Sequence, residues 1–280
     1  NYQTLFKVWN PVTALENKFI KMVACGSSFT LALTQEGDVY SWGDGSSGAL
    51  GNGYYDDVWE PRLIAFDSKK EKLPPMKFIA AGYAHSVAIT NSGQMYSWGS
   101  GEMGQLGIST PQNTTVPTLA VMPRIKIEMA SCGMYSTMVV TEDQLLFGCG
   151  ANKNGQLGFP DLTNREKLEE VTFFANEPIN WVACGANHTL VLTLAHKVFA
   201  FGNNNHYKCG VINPQELGKN ITVPTEVSFQ LFPNDYIYQL AASLNLSLAI
   251  SKGGQCFTWG KDVGGLLGRP ATVSKELMKI

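Results

Sequence analysis

The sequence predicts an all-β protein, a β-propeller of five four-stranded blades, on two observations. One is a repeat with a fixed internal ruler; the other is a set of strands that are apolar on both faces. The repeat is plainest in Ala80–Gly107, AAGYAHSVAITNSGQMYSWGSGEMGQLG. Gly26, Gly82, Gly133, Gly185 and Ser243 open the unit, and Gly43, Gly99, Gly150, Gly202 and Gly260 each lie 17 residues later. Gly51, Gly107, Gly158, Gly210 and Gly268 each lie 8 further on. Fixed spacing inside units of variable separation marks an array of one supersecondary element. Segments such as Met22–Ala24, Leu31–Leu33 and Val39–Trp42 show no polar alternation, so each small sheet needs cover on both sides. Radial stacking of blades supplies that cover, and closing the ring removes exposed ends.

The elements of one unit follow in order. A short strand runs into Ala-Gly, and a second apolar strand surrounds Val87–Ile89. Thr90–Gly93 is a turn, Gln94–Trp98 a third strand, and a Gly-rich loop ends in Gln105-Leu106-Gly107. The glycines provide positive-φ turns and close backbone approach. Pro61, Pro117 and Pro224 fall in the spacers, and proline is tolerated on an edge, so each spacer should hold the outermost strand. The repeat cores are residues 22–51, 78–107, 129–158, 181–210 and 239–268 of one domain spanning 1–280. Only twelve residues follow Gly268, too few for another unit. Phe6–Leu15 is therefore expected to pair beside the strand holding Trp259 and close the ring as an N-terminal strand. Units three and four depart from the pattern. Gln144 and His196 stand where other hairpins have Gly37 or Gly93, Cys149 replaces the Trp, and Tyr207-Lys208-Cys209 replaces Gly-Gln-Leu.

Composition excludes several classes. A net charge of −2 and a pI near 6.1 give no footprint for nucleic acid or an anionic membrane. No apolar run approaches the roughly 18 residues of a spanning helix, and no signal peptide is evident. Each of the six cysteines replaces a small or apolar residue of the repeat. They are expected to be free, with Cys25, Cys132 and Cys184 buried, in a reducing intracellular compartment, cytoplasmic or nuclear. The sequons at Asn113, Asn187, Asn220 and Asn245 are then accidental.

Little of the chain reads as chemistry. Residues 43–48 and 99–104 match G-x-G-x-x-G, but a dinucleotide site needs a helix and a βαβ unit around it. His85 and His188 share one repeat position, which points to hydrogen bonding within the blade. His206-x-x-Cys209 has ligand-like spacing without a second ligand pair. No catalytic residue, cofactor or metal is expected. Partner contacts belong where the repeat makes no demand, in loops held by rigid blades. Tyr54, Tyr55, Asp57 and Trp59 are the leading candidates, since exposed aromatics anchor interfaces; His206 and Tyr207 come second. The alternative for Trp59 is packing over the outer strand, with Asp56 and Asp57 merely solvated. Residues 68–72 and 164–170 read as solvated surface.

The pattern A-x-G-x-x-H-S-x-A-[IL]-T-x-x-G-x-[VM]-Y-x-W-G-x-x-x-x-G-Q-L-G resembles the repeat of the regulator of chromosome condensation family. Ala80, Gly82, His85, Ser86, Tyr96, Trp98, Gly99, Gly104 and Leu106-Gly107 carry the likeness, which extends over Gly26–Gly268. The founding member is a seven-bladed ring and an exchange factor for the GTPase Ran, so five repeats are a departure. The resemblance implies a monomeric propeller that engages a small GTPase, Ran-like or Rab-like, with nucleotide exchange possible without a bond-making site. A non-catalytic scaffold or targeting propeller is the alternative. Chromatin binding ranks below both, because the chain is acidic and has no basic tail.

Overall fold

The computed structural model describes residues 10–66, 71–122, 124–211, 219–268 and 278–279. Five antiparallel four-stranded sheets follow one another along the chain, each an up-and-down meander. Sheet 1 holds Ile20–Cys25, Phe29–Thr34, Val39–Gly43 and Val58–Leu63. Sheet 2 holds Met76–Ala81, His85–Thr90, Met95–Gly99 and Thr114–Leu119. Sheet 3 holds Ile127–Cys132, Ser136–Thr141, Leu146–Gly150 and Arg165–Glu170. Sheet 4 holds Ile179–Cys184, His188–Thr193, Val198–Gly202 and Ile221–Val227. Sheet 5 holds Ile237–Ala242, Leu246–Ser251, Cys256–Gly260 and Met278–Lys279. The prolines of the spacers do lie in outer strands, as their missing N–H requires.

Packing between sheets explains the apolar repeat. Second strands such as His85–Thr90 and His188–Thr193 are buried along their whole length. Four apolar clusters fill four seams. Leu31 and Leu50 meet Ile79 and Trp98 between sheets 1 and 2, and Val87 and Ile89 meet Ala130 and Cys149 between 2 and 3. Met138 and Leu157 meet Val182 and Phe201 between 3 and 4, and Leu190 and Cys209 meet Leu240 and Trp259 between 4 and 5. Each fully buried side chain of this size contributes about 2 kcal/mol from removal of apolar surface. The glycine that ends the ruler has a steric cause. A Cβ on Gly51 would sit 2.7 Å from Trp98 Nε1, and one on Gly158 3.1 Å from the Phe201 ring. Both glycines also take positive φ, which side chains other than glycine adopt at a cost.

Two expectations about closure are corrected. The outer strand of sheet 5 comes from the C-terminal end, where Met278 and Lys279 pair with Thr258 and Phe257. Phe6–Trp9 lie outside the described residues, and Asn10–Leu15 forms no strand. Thr13–Leu15 is a 3-10 turn packed near the outer strand of sheet 1. The tail suffices because an outer strand starts 15 residues after the third-strand glycine in sheet 1 (Gly43 to Val58) and 18 in sheet 5 (Gly260 to Met278). The described residues do not close a ring on their own. Among the described residues the inner strands stack in sequence order, and no comparable packing or apolar cluster joins sheet 5 to sheet 1. Two-faced strands show that cover is needed; they do not show that this stretch of chain provides it.

The same packing corrects one cysteine. All six are free, and Cys149, Cys184 and Cys209 are buried, but Cys25 is exposed because, among the described residues, no sheet packs on its side of sheet 1. Cys132 and Cys256 are half-buried. Burial pushes the Cys184 thiol up to about 11 and Cys209 to about 12. With a thiol reagent in the native state, Cys25 should react first and Cys149, Cys184 and Cys209 only on unfolding. Mass mapping of the labelled peptides checks this, and modification of Cys184 ahead of Cys25 would contradict the packing.

Where Gly37 and Gly93 turn the hairpin at positive φ, Gln144 and His196 do so as well, at +66° and +62°. His196 is compensated by stacking on Tyr236 at 3.9 Å between ring centroids. Gln144 is exposed. Gln144→Gly is therefore expected to stabilise the protein by about 1 kcal/mol, the left-handed strain less glycine's entropy. A rise in the thermal midpoint checks it; a fall would show that the Gln144 side chain does more than turn.

Candidate partner-binding face

One end of the sheets carries both the inner turns and the long loops between third and outer strands. In sheet 1 this loop is pinned from within. The Asp57 carboxylate accepts from Gly45 N at 3.0 Å, as Asn113 accepts from Gly101 N at 2.9 Å and Asn164 from Asn152 N at 3.0 Å. Asp57 is thus a repeat position that shapes the loop, and its side chain is exposed. The signal lay in the spacing: Asp57, Asn113 and Asn164 each follow the third-strand glycine by 14 residues. Tyr54 N donates to Asn52 Oδ1 at 2.9 Å, and Gly53 N donates to Thr115 O on sheet 2 at 2.9 Å. The loop is therefore braced, and its aromatic side chains point outward: Tyr54 is 66% exposed and Tyr55 55%. Trp59, second residue of the outer strand, is 91% exposed, so it does not pack over that strand.

The loop of sheet 4 is less eroded than its sequence suggests. Asn204 Oδ1 accepts from Cys209 N at 3.0 Å and its Nδ2 donates to Val211 O at 2.9 Å. Asn152 performs the same task in sheet 3, bonding Leu157 N and Asp161 O. Both asparagines stand two residues after the third-strand glycine, a regularity that the sequence reading missed. His206 is exposed and Tyr207 half-buried, both at positive φ. They share an end of the molecule with Tyr54, Tyr55 and Trp59 but are separated from them by sheets 2 and 3. The structure does not bring the two groups together.

The histidines act between sheets, not within one. Thr137 Oγ1 donates to Gln105 O at 2.8 Å, so at 2.9 Å from His85 Nε2 it can only accept. Ser247 Oγ donates to Lys208 O at 2.6 Å and accepts from His188 Nε2 at 2.8 Å. Each imidazole is thereby fixed as the Nε2–H tautomer, with Nδ1 buried and unpartnered. Burial lowers His85 to about 4; burial, with the Lys208 ammonium adding, lowers His188 to about 3. A Cβ on Gly82 would lie 2.2 Å from His85 Cε1, and one on Gly185 2.0 Å from His188 Cε1. The opening glycine makes room for that ring. Ser243 can replace it because Leu246 stands where the ring would be.

The inner turns surround an axial cavity of about 570 Å³, lined by residues of all five sheets and by no charged side chain. Neither glycine loop opens a helix, so the phosphate-binding geometry of a dinucleotide fold is not assembled there. His206 and the buried Cys209 do not converge, and among the described residues no cluster of His, Cys, Asp or Glu is arranged to hold a metal. Arg165 sits in an expected surface stretch as a clamp on its own sheet. It donates to Asp161 at 2.7 Å and Glu169 at 2.7 Å, and lies over the Phe159 ring. No helix among the described residues is long and apolar enough to cross a membrane.

The RCC1-like domain family matches residues 6–279. The chain is 33% identical over 273 residues to the ultraviolet-B receptor UVR8 of Arabidopsis thaliana, an alignment covering 96% of this chain and 59% of that protein. Among solved structures it is similar in fold to human WBSCR16, with a TM-score of 0.82 at 19% identity, over 94% of this chain and 67% of that one. Prp20p of Saccharomyces cerevisiae gives a TM-score of 0.79 at 23% identity, over 93% of this chain and 65% of that one. The chain spans about three fifths of the length of the curated relatives it matches, 59% of UVR8 and 58% of RUG3 of Arabidopsis thaliana.

Proposed function

The chain belongs to the RCC1-like domain family, and from that premise we propose that it is a protein-binding propeller whose loop-bearing end engages a small GTPase, Ran-like or Rab-like. The observation that carries this reading is the outward-facing trio Tyr54, Tyr55 and Trp59, held beside a loop pinned by Asp57. Large aromatics presented at low entropic cost on a braced loop are what interface hot spots are made of. His206 and Tyr207 remain second candidates on the same end. Prp20p is described with binding properties to Gsp1p and histones; the net charge of −2 here argues against a nucleic-acid surface, and we take the GTPase class for this chain. The six free thiols support a reducing compartment as the site of action.

Binding without exchange is the second reading, favoured by one observation. The described spacers fold back as outer strands and a short hairpin, Ala65–Phe66 with Glu71–Lys72, and so offer no projecting wedge. A panel of Ran-like and Rab-like GTPases tests both readings by affinity and by nucleotide release. Trp59→Ala should weaken binding by about 2 kcal/mol while leaving the melting temperature unchanged. If no GTPase binds, the reading fails; binding with unaltered release selects the scaffold.

A further inference from the structure

We propose that Lys208, at the loop-bearing end of the seam between sheets 4 and 5, holds a carboxylate of the bound partner, an aspartate or glutamate side chain. The inference starts from a repeat position. Ala49, Gln105, Gln156 and Lys208 each stand two residues before the glycine that ends the unit. Each offers its carbonyl to a hydroxyl of the next sheet. At two of them the side chain also supports its own loop. Gln105 Oε1 accepts from Met103 N and Gln156 Oε1 from Asn154 N, both at 2.9 Å. An ammonium cannot accept, so Lys208 gives up that bond and donates across the seam to Asn245 Oδ1 at 3.0 Å. The support is given up beside a strained stretch, since His206 and Tyr207 both take positive φ, +59° and +58°.

The substitution leaves a buried charge without a counter-charge. Lys208 is 3% exposed, and Asn245 is its one hydrogen-bond partner among the described residues, none of which places a carboxylate against it. Two of the three ammonium protons therefore have no acceptor. Burial lowers the pKa of the amine, and the neighbouring His188 is neutral. Buried charges are ordinarily paired, because desolvation of a lone ion is costly. Asn245 contributes a second donor for a geometric reason. Since Nζ can only donate, the Asn245 amide must turn Oδ1 toward it. Its Nδ2 is then left without a partner among the described residues. Asn245 is half-buried in the turn between the first two strands of sheet 5, at the end of the molecule where His206 is exposed.

Charge selects the occupant. A single uncompensated positive charge is neutralised by a carboxylate, whose two oxygens can accept from Nζ and Nδ2 together. A phosphate dianion would bring surplus negative charge into a largely desolvated place. Both sheets of this seam are described, so exposure at sheets 1 and 5 plays no part. The choice of a partner's side chain as the source rests on the protein-binding function proposed above; the anion site itself does not.

NMR titration of the lysine side chains in the 280-residue chain tests the site, with sodium acetate, phosphate or chloride at equal ionic strength. Acetate should raise the midpoint of Lys208 by about 1, as an opposite charge in contact does, and shift its resonance saturably. The exposed Lys167 and Lys261 should follow ionic strength alone. Lys208→Gln restores the residue of sheets 2 and 3, and should remove the rise in melting temperature that acetate gives. With a GTPase that binds, the same variant should weaken affinity about tenfold or more. A Lys208 resonance indifferent to acetate overturns the site, and so does an acetate effect that survives in Lys208→Gln. Phosphate acting as strongly as acetate, or a GTPase that binds the variant equally well, overturns the carboxylate assignment. The titration needs only the unaltered chain, so a GTPase panel without a binder defeats the function proposed above and leaves this result to stand or fall separately.

Discussion

Trp98→Ala is expected to lower the stability of the protein by about 4 kcal/mol, the loss typical of a large aromatic removed from a close-packed site. The ring is fully buried between sheets 1 and 2, rests against the unsubstituted Cα of Gly51, and donates to Ala49 O at 2.8 Å. The structure contains its own control. Phe201 occupies the same position in sheet 4 without a donor, so Trp98→Phe should recover most of the loss. Trp42, the equivalent residue of sheet 1, is only half-buried, and Trp42→Ala should cost far less than Trp98→Ala. Denaturant midpoints at constant slope measure all three. Equal losses at positions 42 and 98 would mean that sheet 1 is covered as sheet 2 is, contrary to the packing among the described residues.

Acid should unfold the protein through its seam histidines. His85 and His188 are neutral in the folded state, lowered from 6.5 to about 4 and about 3 because burial disfavours the imidazolium. A base depressed on folding contributes stability that is complete above the unfolded value. That stability is lost as pH falls from about 6.5 toward 4, as the unfolded chain takes up protons that the folded one refuses. For His85 the loss approaches roughly 3 kcal/mol at the lower end. His85→Gln keeps a donor for Thr137 and removes the titration, so its stability should fall less steeply over this window than that of the unaltered protein. Carboxylates contribute equally to both proteins and drop out of the difference. Parallel acid profiles would show that His85 is already charged when folded.

Much of the architecture was written in glycine. The 17-and-8 ruler located the third strand and the end of each loop, and the structure supplies the cause: the last glycine lies under the bulky residue of the following sheet. Pro61, Pro117 and Pro224 marked outer strands because a missing N–H restricts where a strand can sit. Closure was not legible, since a strand apolar on both faces looks the same whether its cover comes from this chain or from elsewhere. The loop-pinning role of Asp57 was not legible for a related reason. A loop-pinning carboxylate and a partner-binding one share their chemistry, and only alignment with Asn113 and Asn164 separates them. Trp59 and Tyr54 stood out because the repeat has no use for an aromatic there, and both are exposed. His85 could be assigned to a repeat position but not to its partner, because Thr137 lies 52 residues away along the chain.

The inner turns are joined by a run of backbone bonds, Ser27 to Tyr83, Tyr83 to Gly133, Met134 to Ala186 and Ala186 to Leu244, and that run has two ends. In an array whose members touch only neighbours, stability adds up from each unit and each junction, as in a one-dimensional lattice. A terminal unit has one junction to lose, an interior unit two. Opening therefore begins by fraying at sheets 1 and 5 and travels inward, and sheet 3 keeps its amide protons longest. A closed ring of identical units has no such weak point; the row of junctions among the described residues has a direction along which it comes apart.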